Sequence, residues 1–345
     1  MLRYVLFTLI ISVSAIYADD KKIDNNNFML LSGNSNFSLA VEVSNLLGVN
    51  INKDNVQKFN DGEINIKISE RIRNKDVFIL QSTCRTNESS VNDNLMELYL
   101  MIRACKRASP KSIIAVLPYF GYARQDRKES SRVPISASDI AMILELAGAN
   151  HVISVDLHSS QIQGFFHNIS VDNLTSAVIF VPYIARRNPE KLVVVAPDAG
   201  ALGRAKKFQN GLKKYGIEAD LAIVFKERHA SGEVNTIQII GNVKDCDVVI
   251  VDDICDTGTT LVKAVDEIKN LGAKKIYACI THPVFSKNAM QIIKNSKIHE
   301  LMVTDTIPLS KEAPSNITQI SIAPLIAEAI RKSQNSESLS NLFEY

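Results

Sequence analysis

A run of branched aliphatic residues that ends in two carboxylates is the part of the sequence best suited to chemistry. Residues 248–251 are Val-Val-Ile-Val, which predicts a strand buried on both faces, and Asp252 and Asp253 follow directly. The next loop, Asp256-Thr257-Gly258-Thr259-Thr260, is small and polar, and apolar residues at helical spacing come after it. The pattern predicts a strand, a ligand-binding loop and the start of a helix.

Residues 257–260 suit a phosphate group, because backbone N–H groups at a helix start are unpaired and lie at the positive end of the helix dipole. Gly258 allows close backbone approach, and the threonine hydroxyls add donors. A Lys does not directly follow the glycine, so the loop differs from the P-loop of nucleoside triphosphate sites. Asp252 and Asp253 are placed to accept hydrogen bonds from sugar hydroxyls beside that phosphate. The predicted ligand is a sugar phosphate.

The run from residue 248 to residue 260 resembles the phosphoribosyl pyrophosphate loop of type I phosphoribosyltransferases and ribose-phosphate pyrophosphokinases. Other segments resemble those of the second family, in the same order. For ATP, the resemblance implies an adenine-contacting hairpin from a neighbouring subunit at Phe59-Asn60-Asp61-Gly62-Glu63 and an ATP-contacting loop with Arg124 and Gln125. For the metal and the phosphates, it implies a metal- and triphosphate-binding His158 and a pyrophosphate loop with Asp198. It also implies a flexible catalytic loop that starts at Lys226-Glu227-Arg228. Thr259 and Ala201 stand where a second glycine is common in the family, a departure that puts affinity in doubt more than reaction type.

Some of these residues also suit ATP by their chemistry alone. Phe59 offers a flat apolar face for a purine, and Asp61 and Glu63 offer acceptors for its exocyclic amine. The guanidinium fork of Arg124 suits triphosphate oxygens. A charged hairpin turn and a solvated basic loop are the alternative interpretations of these two segments.

His158 and Asp198 each follow a predicted strand, at the sheet edge where βα loops carry function. Mg2+ prefers oxygen ligands and keeps several waters while it bridges phosphates, so we expect few protein ligands: Asp198, and His158 directly or through water. Lys226 and Arg228 alternate beyond a strand and would point to the same side. Surface charge in a mobile loop is their alternative interpretation.

The resemblance implies that the diphosphoryl group of Mg-ATP passes to the anomeric hydroxyl of ribose 5-phosphate, giving phosphoribosyl pyrophosphate and AMP for nucleotide biosynthesis. Such a transfer needs mainly in-line positioning and neutralisation of charge. Lys226, Arg228 and magnesium would neutralise charge, and Asp256 is the candidate general base.

The elements that must position these residues alternate along the chain. Strands are predicted over 28–31, 77–80, 113–117, 151–155, 192–196, 221–225, 248–251 and 275–280, and helices over 37–47, 95–106, 137–146, 204–214 and 261–271. Alternation predicts mainly parallel sheets flanked by helices. The two series indicate the α/β class with two similar domains, over 28–173 and 174–345, and a crossing near 165–175. The family resemblance implies that these domains are type I phosphoribosyltransferase-like.

Composition limits the partners and the compartment. A net charge of +2 without a dense basic block argues against nucleic acid. The 5 widely spaced cysteines predict reduced core residues. Residues 1–20 resemble a signal or targeting segment; the alternatives are an uncleaved apolar extension or a misassigned start. Their apolar stretch is too short to span a bilayer comfortably, so no membrane span is expected in the mature protein.

The family resemblance implies a cytoplasmic homo-oligomer, dimer-based and commonly hexameric, although residues 1–20 leave an organelle or secretory route open. Three alternative functions remain. A phosphoribosyltransferase shares the 248–260 loop but needs neither the hairpin nor a second domain. A non-catalytic regulatory paralogue would usually have damaged loops, whereas Lys226 and Arg228 are present here. An unrelated structural α/β protein is the third.

Overall fold

The computed structural model describes residue 23 and residues 26–53, 55–228, 234–310 and 312–343. For residues 226–228, 234–237 and 341 it describes the backbone only. Residues 1–20, which the sequence marks as a targeting-like segment, lie outside the described residues.

The first half of the chain forms a parallel sheet and a small hairpin. The sheet has the strand order β1-β4-β5-β6-β7, and β2 pairs with β3 in the hairpin. The bounds are β1 (Phe28–Ser32), β2 (Val56–Lys58), β3 (Ile64–Ile66), β4 (Asp76–Leu80), β5 (Ser112–Leu117), β6 (His151–Val155) and β7 (Ser170–Leu174). Neighbours in the large sheet pair in parallel, as the continuous apolar strands predict.

Helices cover this sheet on both faces. They are α1 (Phe37–Leu47), α2 (Val91–Arg107) and α3 (Ser136–Ala147), and a 3-10 helix spans Ser160–Phe165. α2 begins with a capping box, in which the Ser90 hydroxyl accepts from the Asp93 N–H and the Asp93 carboxylate accepts from the Ser90 N–H. α1 ends at Gly48, whose φ of 68° gives the left-handed cap.

The second half forms a larger sheet with the order β10-β9-β8-β11-β12-β13-β14. The strands are β8 (Leu192–Ala196), β9 (Ala219–Arg228), β10 (Val234–Ile240), β11 (Asp247–Cys255), β12 (Ile276–Pro283), β13 (Glu300–Thr304) and β14 (Ile317–Ile320). The helices are α4 (Ala177–Ala185), α5 (Leu202–Lys213), α6 (Thr259–Asn270), α7 (Ala289–Lys294) and α8 (Ala323–Gln334), and a 3-10 helix spans Ser340–Leu342. β10 runs antiparallel to β9, and the other neighbours are parallel.

One apolar core is shared by the two halves. It joins Leu39 and Val43 of α1 to Leu325 and Ile326 of α8, although these helices lie at opposite ends of the sequence. Such a core removes apolar surface of both halves from water, which stabilises their contact. The sheets are therefore held in one orientation, and loops from both can meet.

The predicted α/β class and the two sheet-and-helix series are confirmed, with two differences in detail. β11 continues to Cys255, so Asp252 and Asp253 lie inside a strand rather than after it. Residues 170–174, within the predicted crossing, form edge strand β7. The predicted domain boundaries at 173 and 174 stay a prediction.

Two further observations concern the cysteines and the helices. Within the described part of the chain, all cysteines are unpaired and buried, as predicted for reduced core residues. In that same part, no helix is both long and apolar enough to cross a membrane.

Candidate active site

The carboxyl ends of β6 and β12 are fastened to each other by buried polar contacts. Nε2 of His282 on β12 donates to the carbonyl oxygen of Val155 on β6, at 3.1 Å. The Thr281 hydroxyl donates to Oδ2 of Asp156 at 2.8 Å. Burial lowers the pKa of His282, which favours the neutral ring in this contact. The strand ends of the two sheets therefore meet at one place.

Asp253 and His158, which come from different sheets, contact each other there. His158 Nδ1 lies 2.7 Å from Asp253 Oδ2. The hydrogen bond that His158 donates to the Asp253 carboxylate raises the pKa of His158. A carboxylate on Nδ1 also fixes the ring orientation and leaves Nε2 as the second nitrogen for a ligand.

The two adjacent acids of β11 differ in environment. Asp253 is buried, and its N–H donates to Asp252 Oδ1 at 2.9 Å. Burial alone would raise the pKa of Asp253, but the Arg204 charge and the His158 hydrogen bond outweigh it and lower that pKa. Burial and the neighbouring Asp253 charge raise the pKa of Asp252.

Arg204, in the first turn of α5, is a charged residue of this site that the sequence patterns did not identify. Its Nη1 lies 3.4 Å from Asp252 Oδ1 and 3.3 Å from Asp253 Oδ1. Burial alone would lower the pKa of Arg204, but the charges of Asp253, Asp156 and other acids outweigh burial and raise that pKa, so Arg204 stays charged. The available signal was its position: it starts a helix directly after the Asp198 loop, at the carboxyl edge of the sheet.

The predicted phosphate loop has the predicted geometry. Gly258 has a φ of 74° and forms the N-terminal cap of α6, and the Val262 N–H donates to its carbonyl oxygen at 2.9 Å. The Thr257 hydroxyl donates to that of Thr259 at 3.4 Å. The N–H groups of the first helical turn are therefore available to an anion. The hydroxyl of Thr260, in the same turn, is a further candidate donor.

Arg124 joins the predicted ATP loop to the sugar phosphate loop. Its Nη1 donates to Asp256 Oδ2 at 2.6 Å, and Asp256 also accepts from the Ser286 hydroxyl. Burial would raise the pKa of Asp256, but the bonds from Ser286 and Arg124 outweigh it and lower that pKa. Gln125, beside Arg124, accepts from the Ser136 hydroxyl at the start of α3. The structure thus brings two predicted substrate loops together.

The hairpin tip over residues 59–63 is closed by its own hydrogen bonds. The Phe59 N–H donates to the Glu63 carbonyl at 2.8 Å, and the Glu63 N–H donates to Asp61 Oδ1 at 3.1 Å. Gly62 supplies the positive φ, 96°, that the turn requires. Phe59 is 54% exposed. The hairpin shape is confirmed, and the aromatic ring at its tip is exposed. Its contact with adenine stays a prediction.

The predicted catalytic cations lie at the end of β9. Lys226 is paired with Ile237 and Arg228 with Val234 across to β10. Their backbone is extended, as predicted. Their side chains fall outside the described residues.

The residues proposed for magnesium offer a sparse set of ligands. Among the described residues, no group of three or more His, Cys, Asp or Glu converges as a complete metal cage. Asp198 Oδ1 accepts from the Ala201 N–H at 3.1 Å, which orients its carboxylate. Magnesium usually takes one or two carboxylates and completes its shell with waters and substrate phosphates. Asp198 and His158 fit that kind of site.

Comparison with known proteins gives two family matches along the chain. Residues 28–148 match the N-terminal domain of ribose phosphate pyrophosphokinase. Residues 221–344 match the phosphoribosyl synthetase-associated domain.

Similar whole proteins and a similar solved structure agree with these matches. The chain is 44% identical over 316 residues to the ribose-phosphate pyrophosphokinase of Campylobacter jejuni, covering 92% of this chain and 99% of that protein. It is 46% identical over 316 residues to ribose-phosphate pyrophosphokinase A of Dictyostelium discoideum, covering 91% and 97%. The crystal structure of phosphoribosylpyrophosphate synthetase from Mycobacterium smegmatis superposes with a TM-score of 0.82 at 36% identity, covering 90% and 99%.

Proposed function

The chain belongs to the ribose-phosphate pyrophosphokinase family, and we propose that the site at the meeting of its two sheets carries out the reaction of that family. It is an enzyme that transfers the diphosphoryl group of ATP to ribose 5-phosphate, giving phosphoribosyl pyrophosphate and AMP for nucleotide biosynthesis. The observation that carries the assignment of the site is the 2.6 Å contact of Arg124 with Asp256, which joins the ATP loop to the sugar phosphate loop.

Ribose 5-phosphate binds with its phosphate at the start of α6 in this proposal. The first-turn N–H groups and the hydroxyls of Thr257, Thr259 and Thr260 donate to the phosphate oxygens. Asp252 accepts from the sugar hydroxyls. Gly258 supports this assignment, because its left-handed φ lets the chain turn sharply from β11 into the helix.

ATP lies between Arg124 and the hairpin. The guanidinium of Arg124 pairs with the triphosphate, which requires it to exchange Asp256 for phosphate oxygens, and Gln125 lies beside it. The ring of Phe59 stacks on adenine, with Asp61, Gly62 and Glu63 at the same tip. Since the hairpin is exposed, it can serve the site of a neighbouring subunit.

The anomeric hydroxyl attacks the β-phosphorus in line, the bond from that phosphorus to the α-phosphate oxygen breaks, and AMP leaves. Lys226 and Arg228 meet the negative charge that develops on the transferring group. Asp256 is the candidate for accepting the anomeric proton. Its lowered pKa makes it a weak base, so positioning and charge neutralisation carry most of the catalysis.

Magnesium would be held by Asp198, and by His158 directly or through water. When bound, it neutralises triphosphate charge and orients the phosphoryl groups. Asp253 holds the His158 ring by its Nδ1, so the ring is oriented before the metal arrives.

Two alternatives fit less well. A phosphoribosyltransferase would need neither the 59–63 hairpin nor the first sheet, and both are present. A non-catalytic regulatory paralogue would not be expected to retain the acids of β11 and both cations of β9. The family relationship further supports a dimer-based homo-oligomer, commonly a hexamer, in the cytoplasm.

The proposal is tested by incubating the purified chain with ribose 5-phosphate, ATP and magnesium, and assaying AMP and phosphoribosyl pyrophosphate. AMP should form only when the sugar phosphate is present. Lys226→Ala and Arg228→Ala should each lower kcat by at least about a hundredfold, since one preorganised donor is worth about 3 kcal/mol in a transition state. Lys213→Ala removes an exposed cation from α5 and is the matched control. Full turnover in either catalytic variant would overturn the assignment of the β9 cations.

A further inference from the structure

Arg204 brings one positive charge to two carboxylates at the centre of the site. The same nitrogen, Nη1, contacts Asp252 Oδ1 and Asp253 Oδ1. The Arg204 side chain is only 17% exposed. A charge so far removed from water is stable only when it is paired, and its partners here are the two acids.

Protein groups occupy both oxygens of Asp253. Oδ2 lies 2.7 Å from His158 Nδ1, Oδ1 lies 3.3 Å from Arg204 Nη1, and the side chain is 5% exposed. The sequence predicts that Asp253 accepts hydrogen bonds from the sugar directly, and these contacts with protein groups do not match that arrangement. The geometry instead suits a residue that holds other residues in place.

Asp252 is differently arranged. Among the described residues, its side-chain contacts with Arg204 Nη1 and with the Asp253 N–H both fall on Oδ1. Oδ2 is therefore the oxygen left for a ligand. Two partners on one oxygen fix the carboxylate plane, and with it the direction in which Oδ2 can accept a hydrogen bond.

We propose that Arg204 is a positioning residue for diphosphoryl transfer: it fixes Asp252 for the sugar hydroxyls and Asp253 for the ring of His158. This inference rests on the proposed function. Without the guanidinium, two adjacent carboxylates would repel each other and one would rotate. Both the sugar contact and the His158 orientation would then be lost, although Arg204 touches neither substrate.

Arg204→Met tests this role, because it keeps much of the side-chain volume and removes the charge. The KM for ribose 5-phosphate should rise and kcat should fall, each by about tenfold or more, as is usual when a residue that orients a ligand-binding group is removed. Half-maximal activity should require more Mg2+. Lys207→Met removes an exposed cation from the same helix and should leave both constants within about twofold of the original protein.

Arg204→Lys is the second variant. It keeps the charge but offers a compact ammonium in place of the planar fork, so its KM for ribose 5-phosphate should lie between those of Arg204→Met and the original protein. Thermal unfolding of each variant shows whether it is folded, and if Arg204→Met does not fold, Arg204→Lys decides the matter.

The outcomes separate this inference from the proposed function. An original protein that forms no AMP from ATP and ribose 5-phosphate would contradict the function itself. An active original protein together with a folded Arg204→Met of unchanged KM would overturn the positioning role alone. A fall in kcat with no change in the KM for ribose 5-phosphate or the Mg2+ requirement would also overturn it, since it would indicate a general structural role.

Discussion

Asp252 and Thr257 both address ribose 5-phosphate in the proposed site, but they differ in redundancy. Thr257 offers one hydroxyl to a phosphate that also meets several backbone N–H groups at the start of α6. Asp252 is a single carboxylate beside the reacting end of the sugar, held by Arg204 and the Asp253 N–H. In the proposed site, no neighbouring group takes over the role of this carboxylate when its charge is lost.

We therefore expect Asp252→Asn to impair the use of ribose 5-phosphate more than Thr257→Ala does. Deletion of one donor among many costs about 1 kcal/mol, whereas a charge-assisted hydrogen bond is worth about 1.5 to 3 kcal/mol, and misplacement of the anomeric oxygen adds to the loss. Kinetics with saturating ATP and varied ribose 5-phosphate measure both effects. A Thr257→Ala enzyme about tenfold worse than Asp252→Asn would reverse this division of roles.

Residue types and spacing could predict candidates that lie close together in the chain, as in the 252–260 run. They could not predict the role of Arg204, because its partner Asp252 is 48 positions away in the chain. The residues next to Arg204 in the sequence have the pattern of an ordinary helix start. The contact of Arg124 with Asp256 spans 132 positions. It depends on how the two sheets pack, which no local pattern encodes.

At the scale of elements, the start of α6 depends on the backbone of Gly258 rather than on space around it. A Cβ there would make only ordinary contacts, at 3.4 Å or more, but φ is 74°. Gly216, in the turn after α5, has a φ of 71° with nothing within 4 Å of a Cβ. Both glycines therefore have nearly the same left-handed backbone conformation. Gly258 lies in the proposed site, and Gly216 lies far from it in the chain.

Gly258→Ala and Gly216→Ala should each lose about 1 to 2 kcal/mol of unfolding free energy, the cost of a left-handed conformation at a residue with a Cβ. Only Gly258→Ala should also raise the KM for ribose 5-phosphate, because the first-turn N–H groups shift with the loop. Urea unfolding and steady-state kinetics on both variants check this. Equal KM values in the two variants would mean that the loop does not hold the phosphate.

The 59–63 hairpin is the element whose proposed role depends on a second subunit. Phe59→Ala should raise the KM for ATP and leave that for ribose 5-phosphate nearly unchanged, because the ring addresses adenine only. Mixing Phe59→Ala subunits with Lys226→Ala subunits should restore part of the activity if a neighbour supplies the hairpin. After verified subunit exchange, an absence of recovery would indicate sites contained within one chain.

Helices and strands with a regular pattern of apolar residues could be predicted from the sequence. The remaining elements lack such a pattern, each for a physical reason. β7 and β14 are short edge strands with polar residues, so they lack the apolar runs of the central strands. α4 is apolar on every side and contains Pro182, which hides its helical period. β11 is longer than its apolar run because its paired backbone continues through Asp252 and Asp253.

At the scale of the whole molecule, a hydroxyl group between two carboxyl groups links the two halves. The Ser321 hydroxyl lies 2.6 Å from Glu42 Oε2 on α1 and 2.8 Å from Asp305 Oδ2 after β13. One hydroxyl proton cannot serve both carboxylates, so one carboxyl group must carry a proton of its own. Burial raises the pKa of Asp305 to about 7, partly offset by bonds from Ile322 and Ser321, which identifies it as that group.

This contact should make stability depend on pH. Between about pH 4 and pH 7, Asp305 is protonated when folded and ionised when unfolded, so the folded state binds the extra proton and stability falls as pH rises. Asp305→Asn mimics the protonated form and should be more stable than the original protein at about pH 8, by about 2 to 4 kcal/mol, and similar to it near pH 4.

Urea unfolding of Asp305→Asn at several pH values measures that difference. Asp220→Asn, a change at an exposed position on β9, is the control for loss of a carboxylate. If the free energy difference between Asp305→Asn and the original protein stayed constant from about pH 4 to about pH 8, Asp305 would not be the proton carrier at this interface.

The most direct test of the account follows the phosphates of ATP through one turnover with ribose 5-phosphate and magnesium. Parallel reactions contain ATP labelled in the γ-phosphate or in the α-phosphate, and the products are separated. Attack of the anomeric oxygen on the β-phosphorus predicts that the γ label appears in phosphoribosyl pyrophosphate and the α label in AMP. Formation of ADP carrying the α label, with the γ label in a sugar bisphosphate, would contradict diphosphoryl transfer at this site.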